Sequence, residues 1–298
     1  MAKRSQRFLW PALAIPSFAW LALFLAIPFY VVLCIAFGQV DPIFRTSVPA
    51  WNPLDWRFDQ FAITLDRIFG ANNFYLPPIT RTITYVVTAV IISLIIAFPV
   101  AYFTARYAGK RKGLVLVLLV APFWISYMMR MLAWVNLLQT DGLVNSVISL
   151  GGLLPLEVNW LSGKPYTVVM GLIYGYVPYM ILPLFAALDR ISPSLLEAAR
   201  DLGASGFDVF RRVVIPMSIP GIAAGMLLVA LPMMGDYFTS DLLSGSPDTS
   251  MIGNLINGTI QTPGQSGQAA ALLLLVLLVL AAPMFLYTRT VARSETRS

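Results

Sequence analysis

Apolar residues in this chain gather in six long blocks, Pro11–Phe37, Thr82–Arg106, Gly113–Leu138, Tyr166–Leu188, Pro220–Leu243 and Gln268–Tyr287, with charge and turn residues between them. At about 1.5 Å per helical residue, blocks of roughly 20 to 28 residues reach across a hydrocarbon core of about 30 Å. None shows the apolar–polar alternation of a barrel strand, and lipid cannot satisfy open backbone groups, so each block is predicted to be a helix. The expected fold is all-α: a polytopic membrane protein with six transmembrane helices, forming one transmembrane domain over residues 1–298.

Composition agrees. Hydrophobic residues make up 58% of the chain and charged residues 11%, against about 25% charged in soluble domains. There is no histidine and one cysteine, Cys34, inside an apolar block. Disulfides, a structural zinc site and Cys/His catalysis within the chain are therefore excluded. Lys3, Arg4 and Arg7 before an apolar run imitate a signal peptide. The run from Phe8 to Phe37 far exceeds an apolar signal core of about 7 to 15 residues, so it is read as an uncleaved first span.

The net charge of +6 matters through its distribution. The N-terminus, the 106–112 loop, the 189–212 loop and the C-terminal tail hold fourteen of the 20 Lys and Arg. The positive-inside rule then places both termini on the cytoplasmic side, and an even number of spans agrees with that. Residues 39–81 become a long outer loop. Its Trp51, Trp56, Phe58, Phe61 and Phe69 are expected on short interfacial helices. The 141–165 loop is expected to be a short re-entrant or surface element. Asp141, Glu157, Asp241 and Asp248 make the later outer loops acidic, as exclusion of positive charge from that side would.

One inner loop differs from the rest. Ser194 and Glu197 have capping-box spacing beside Pro193, and Gly203 suits a left-handed helix stop. Ser205 and Asp208 repeat the capping pattern for a second short helix, expected to end near Arg211 and Arg212 before Pro216 leads into the fifth span. The expectation over 192–212 is a helix–turn–helix knuckle. Pinned between two spans, it cannot lie in a DNA groove, so nucleic acid is not an expected partner.

Glu197-Ala198-Ala199, then Gly203 after three residues and Val213-Val-Ile-Pro216 nine residues later, resembles the EAA loop of type I ABC importer permeases. Val213 and Ile215 depart mildly from that family's usual Ile and Leu. The resemblance implies a type I ABC importer transmembrane domain whose knuckle seats in a groove of a separate ATPase subunit. Glu197, Ala198, Ala199, Gly203, Phe207 and Arg211 would form that joint, with Phe207 and Phe210 as apolar anchors and Glu197, Arg200, Arg211 and Arg212 as rim charges.

Two further stretches narrow the resemblance. Pro122-Phe-Trp124 with Arg130-Met-Leu-Ala-Trp134, and Gly235-Asp-Tyr237, look like the spermidine/putrescine permeases. Permeases for ferric iron, opines and phosphonates share parts of these motifs and remain alternatives. Asp236 lies in or near the fifth span, where an ionised carboxylate is costly unless it faces water or a partner. Pro232 and Gly235 should break the helix just before it. The candidate path for a cationic substrate is thus Asp236 with ring faces from Tyr237, Trp134, Trp124 and Tyr127. The competing reading makes Asp236 a cap for the helix restarted after the break. Arg130 would repel such a cargo unless it pairs with Asp141 or Asp236 or snorkels outward.

No phosphate-binding loop occurs; Gly163-Lys164 is followed by Pro165. The chain is expected to be non-catalytic and to bind no cofactor or metal, with ATP and magnesium held by the partner ATPase. The implied partners are a second homologous permease, an ATP-binding subunit dimer, an extracytoplasmic solute-binding protein and membrane lipid. An ion-driven secondary transporter would need several embedded carboxylates or histidines, and Asp236 stands almost alone.

Overall fold

The computed structural model describes residues 14–71, 73–150 and 158–295. The basic residues Lys3, Arg4 and Arg7, and Glu157, lie outside them. The chain forms two compact units: residues up to Leu76 with 256–279, and 77–255 with the residues from Leu280 onward.

In the first unit, α1 (Ala14–Ala36) is apolar around its whole circumference, and Phe18, Trp20 and Leu25 are exposed as a lipid-facing helix requires. A two-residue hairpin follows, β1 (Gln39–Val40) and β2 (Ser47–Val48), pairing Gln39 with Val48 and Val40 with Ser47. Within the aromatic loop the chain forms the amphipathic α2 (Asp59–Phe69). Phe37 stacks on Trp56 at 4.5 Å and touches Phe58 and Phe61. The Arg67 guanidinium donates to Tyr75 Oη (2.8 Å) and Gln265 Oε1 (3.2 Å).

The second unit begins within α3 (Leu76–Tyr107). This helix starts six residues before the expected Thr82, because Pro77 and Pro78 occupy its first turn, where a missing N–H costs nothing. The third span departs most from expectation. Instead of one helix over Gly113–Leu138, the chain makes α4 (Lys112–Val120), a 3-10 turn at Ala121–Trp124, and α5 (Tyr127–Leu138) running into α6 (Leu143–Leu150). The two halves are bent by 81°. Pro122 supplies no N–H, and Ile125 and Ser126 are extended with ψ near 140°.

Next come α7 (Pro165–Asp189), α8 (Pro193–Asp201), α9 (Gly206–Met234), α10 (Phe238–Leu243), α11 (Ile252–Gln261) and α12 (Ser266–Glu295). The fifth span therefore begins and ends earlier than Pro220–Leu243. The second knuckle helix does not stop at Arg211 but continues into it. A π-helical turn at Phe210–Val214 makes the join, with the Ile215 N–H reaching back to the Phe210 carbonyl. That wider turn accommodates Pro216, whose ring an α-helical turn would drive into the preceding carbonyl. Among the described residues, five helices are long and apolar enough to cross a membrane, and the bent pair provides a sixth span if counted as one.

The core of this unit lies where α3, α7 and α9 meet, around Ala89, Ala97, Ala101, Leu172, Met180, Leu184, Val229 and Met233. Small residues set the spacing. A Cβ on Gly221 would strike Ala187, and one on Gly225 would press on Met180 and Pro183. In lipid, where apolar burial gives no drive between helices, such close backbone approach is the main source of packing energy.

Candidate functional site

Two constellations carry the candidate residues, both within the second unit. The first is the knuckle. Its opening helix is capped two residues earlier than Ser194: Ser192 is the N-cap, and Pro193, the expected helix-start residue, is the first helical residue. Ser194 Oγ donates to Ser192 Oγ (3.3 Å), so the Ser194–Glu197 capping box does not form. The stop is as expected. Gly203 has φ +86°, its N–H bonds to the Arg200 carbonyl (2.8 Å), and the Ala204 N–H bonds to the Ala199 carbonyl (3.1 Å). These are the two bonds of a Schellman motif. Ser205 then caps the next helix, accepting from the Asp208 N–H (3.1 Å) while its hydroxyl donates to Asp208 Oδ2 (2.6 Å).

Glu197, Ala198 and Arg211 are exposed, Ala199 is half-buried and Phe207 is 70% exposed. Leu202, which sequence reasoning passed over, is 89% exposed at the turn. Phe210 is not an outward anchor: it turns inward, edge-on to Phe98 (5.8 Å) and Tyr102 (5.9 Å) of α3. Of the expected rim charges, only Arg212 has an ion pair among the described residues, with Asp208 at 3.3 Å.

The second constellation is the junction after α9. The helix breaks after Met234 as Pro232 and Gly235 foretell, and Asp236 follows, 6% exposed. Its Oδ1 accepts the Thr239 N–H (3.0 Å), capping α10. Its Oδ2 accepts from Tyr127 Oη (2.6 Å), Thr239 Oγ1 (2.7 Å) and Tyr176 Oη (3.3 Å). The capping contact expected of Asp236 is present, and the side chain lies buried beside the Tyr127 and Tyr176 rings.

Glycines make room for this arrangement. A Cβ on Gly175 would lie 2.6 Å from Tyr127 Cε2, and one on Gly171 would collide with Thr239 and Leu243 of α10. The Gly171-x-x-x-Gly175 spacing on α7 was the available sequence signal for Tyr176 and Thr239, which residue-by-residue reading missed.

Of the expected path residues, Tyr127 and Asp236 are brought together. Trp134 packs edge-on to Tyr174 at 5.2 Å, Tyr237 stacks on Phe238 at 4.1 Å, and Trp124 points away, 79% exposed. Arg130 pairs with neither Asp141 nor Asp236 and does not snorkel. Its guanidinium is buried over the rings of Phe123 (4.2 Å), Tyr127 (5.5 Å) and Tyr174 (6.0 Å), with Nε and Nη1 lacking hydrogen bonds. Stacking is available to it because guanidinium is planar and weakly hydrated. No group of metal-binding side chains occurs among the described residues.

Residues 97–295 match the family of binding-protein-dependent transport system inner membrane components. The chain belongs to this family. As an inner membrane component it is a multi-pass, non-catalytic permease subunit of an ABC importer, with ATP hydrolysis left to a separate subunit. It is 34% identical to the spermidine/putrescine transport system permease protein PotB of Haemophilus influenzae, over 91% of this chain and 90% of that protein. It is 37% identical to the inner membrane ABC transporter permease protein YdcU of Escherichia coli K12, over 76% and 77% respectively. Among solved structures, a chain of the bacterial alginate ABC transporter in complex with its alginate pentasaccharide-bound periplasmic protein matches with TM-score 0.71 at 18% identity, covering 98% and 96%. A chain of the MetNI methionine ABC transporter matches at TM-score 0.54 and 15% identity, covering 73% and 94%. These structural likenesses concern the fold.

Proposed function

We propose that this permease subunit imports a polyamine, spermidine or putrescine, together with a second homologous permease, an ATP-binding subunit dimer and an extracytoplasmic binding protein. The observation that carries the coupling part is the Schellman-closed knuckle, which presents Leu202 and Phe207 to solvent beside Glu197. Exposed apolar side chains on a short rigid turn, ringed by charges, suit insertion into a protein groove. In this reading the loop and both termini face the cytoplasm, as the charge distribution favours. ATP binding closes the ATPase dimer, and the knuckles carry that closure into the spans as a rigid-body swing.

The cargo assignment is supported by the likeness to PotB and by the junction chemistry. Asp236 supplies a fixed negative charge. Its oxygens hold Tyr127, Tyr176 and Thr239, so its part in the path is electrostatic and positional rather than direct ligation in this conformation. Tyr127, Tyr237 and Trp134 offer ring faces; Trp124, exposed on the other side of the break, is the weakest member. Arg130 is treated as a structural cation.

The test is reconstitution of the complete importer in proteoliposomes with labelled spermidine, putrescine, an opine, a phosphonate and ferric iron. ATP-dependent uptake of a polyamine alone is expected. Uptake of another member of the panel instead would replace the cargo assignment. Unaltered uptake and binding-protein-stimulated hydrolysis in Glu197→Ala and Gly203→Asp would remove the coupling role.

A further inference from the structure

The knuckle is joined by sequence to α7 and α9, yet its root is also fastened to α3. Arg106, in the last turn of α3, donates from Nη1 to the Ile191 carbonyl (2.8 Å) and from Nη2 to the Leu188 carbonyl (3.0 Å). Those carbonyls end α7 and open the loop. The Leu188 carbonyl already accepts from the Arg190 and Ile191 N–H groups, so the guanidinium fork adds a positively charged donor at the negative end of a helix dipole. Lys112, just beyond α3, forms an ion pair with Asp189 at the same end. On the other leg of the knuckle, Phe210 sits edge-on between Phe98 and Tyr102 of α3. Both legs therefore grip one surface of α3. Tyr102 and Arg106 lie beyond Pro99 and Phe98 just before it; Pro99 supplies no N–H to the Ile95 carbonyl, so α3 lacks one backbone bond close to the gripped surface.

We propose that Arg106 is a positioning residue that makes the segment of α3 after Pro99 part of the coupling lever, so that the ATPase stroke moves the second span along with the fourth and fifth. The geometry favours arginine: two carbonyls are reached by two nitrogens of one planar group, whereas an ammonium would have to serve both from a single nitrogen. A cleft of about 310 Å³ beside this clamp is lined by Arg106, Lys112, Asp189, Glu197 and Arg200, so clamp and knuckle share one wall.

The inference rests on the coupling role proposed above, and the experiment separates the two. In proteoliposomes containing the full importer, substrate uptake and ATP hydrolysis are measured together for Arg106→Gln, Arg106→Lys and Glu197→Ala. With Arg106→Gln, uptake per ATP is expected to fall by about fivefold or more, the low end of ordinary coupling effects, while stimulated hydrolysis persists. Arg106→Lys is expected to recover only part of the loss. A ratio equal to that of the unaltered protein, or full rescue by lysine, overturns the proposal. If Glu197→Ala also leaves the ratio unchanged, the coupling reading itself has failed.

Where Arg106→Gln does not assemble, the otherwise unaltered protein decides. Spin labels at Tyr107→Cys and Asp201→Cys report whether α3 and the knuckle move together, and the sole native cysteine, Cys34, is buried. The same interlabel distance in nucleotide-free and vanadate-trapped importer is expected. A shift of several ångströms between those states overturns it.

Discussion

Tyr127 and Asp236 lie 109 residues apart in sequence, and their side chains meet at 2.6 Å, tying the start of α5 to the break after α9. Tyr127→Phe keeps the ring over Arg130 and removes one donor from a buried carboxylate. Hydrogen bonds to charged groups contribute about 1.5 to 3 kcal/mol. A loss at the lower end is expected, because Tyr176 and Thr239 still donate. Chemical unfolding in detergent micelles measures it. An unfolding midpoint identical to the parent would show that the bond adds nothing.

Gly175 tests the same contact from the opposite helix. Its missing Cβ is the space that Tyr127 Cε2 occupies, so Gly175→Ala must push the ring off Asp236 or spread α5 from α7. A cost of about 1 to 3 kcal/mol is expected for such overpacking. Gly206, where a Cβ meets nothing, is the matched control, and alanine there is expected to be neutral or slightly stabilising. Equal melting temperatures for the two variants would contradict this assignment.

At Gly203 the surroundings are open, so any cost of substitution comes from the backbone. With φ at +86°, Gly203→Ala is expected to lose about 1 to 2 kcal/mol of local stability. Amide exchange should quicken at Ala204, whose N–H closes the Schellman motif, while the spans keep their protection. Uniform quickening through α7 and α9 would mean that the turn is not an independent unit.

Arg130 sits over Phe123 at 4.2 Å without an acid partner among the described residues. Arg130→Lys is expected to be more damaging than Arg130→Met, because a strongly hydrated ammonium is less suited to burial without acceptors than a stacked guanidinium or a thioether. Thermal unfolding of both variants in one detergent ranks them, and the reverse order would imply an unrecognised acceptor.

Much of this arrangement was legible in the apolar pattern, because bilayer thickness sets the length of a span. The stop at Gly203 and the cap at Ser205 were legible for the same local reason: one residue type solves one backbone problem. The break at Ile125–Ser126 was not, since an apolar run carries no mark of where its helix bends, and Pro122 alone does not separate a kink from a full turn of direction. Nor was the inward turn of Phe210, whose carbonyl accepts from the Ile215 N–H five residues on, in the π-helical join that precedes Pro216. The setting of Asp236 depends on Tyr176 and Thr239, brought near by two glycines whose significance appears only once α7 faces α10.

The extended backbone at Ile125 and Ser126 interrupts a span, and oily acyl chains offer nothing to the amides it leaves open. That stretch must be sheltered by another polypeptide or wetted by a channel. The companion permease proposed above would supply that shelter, and copies made without it are expected to be cleared faster by membrane proteases.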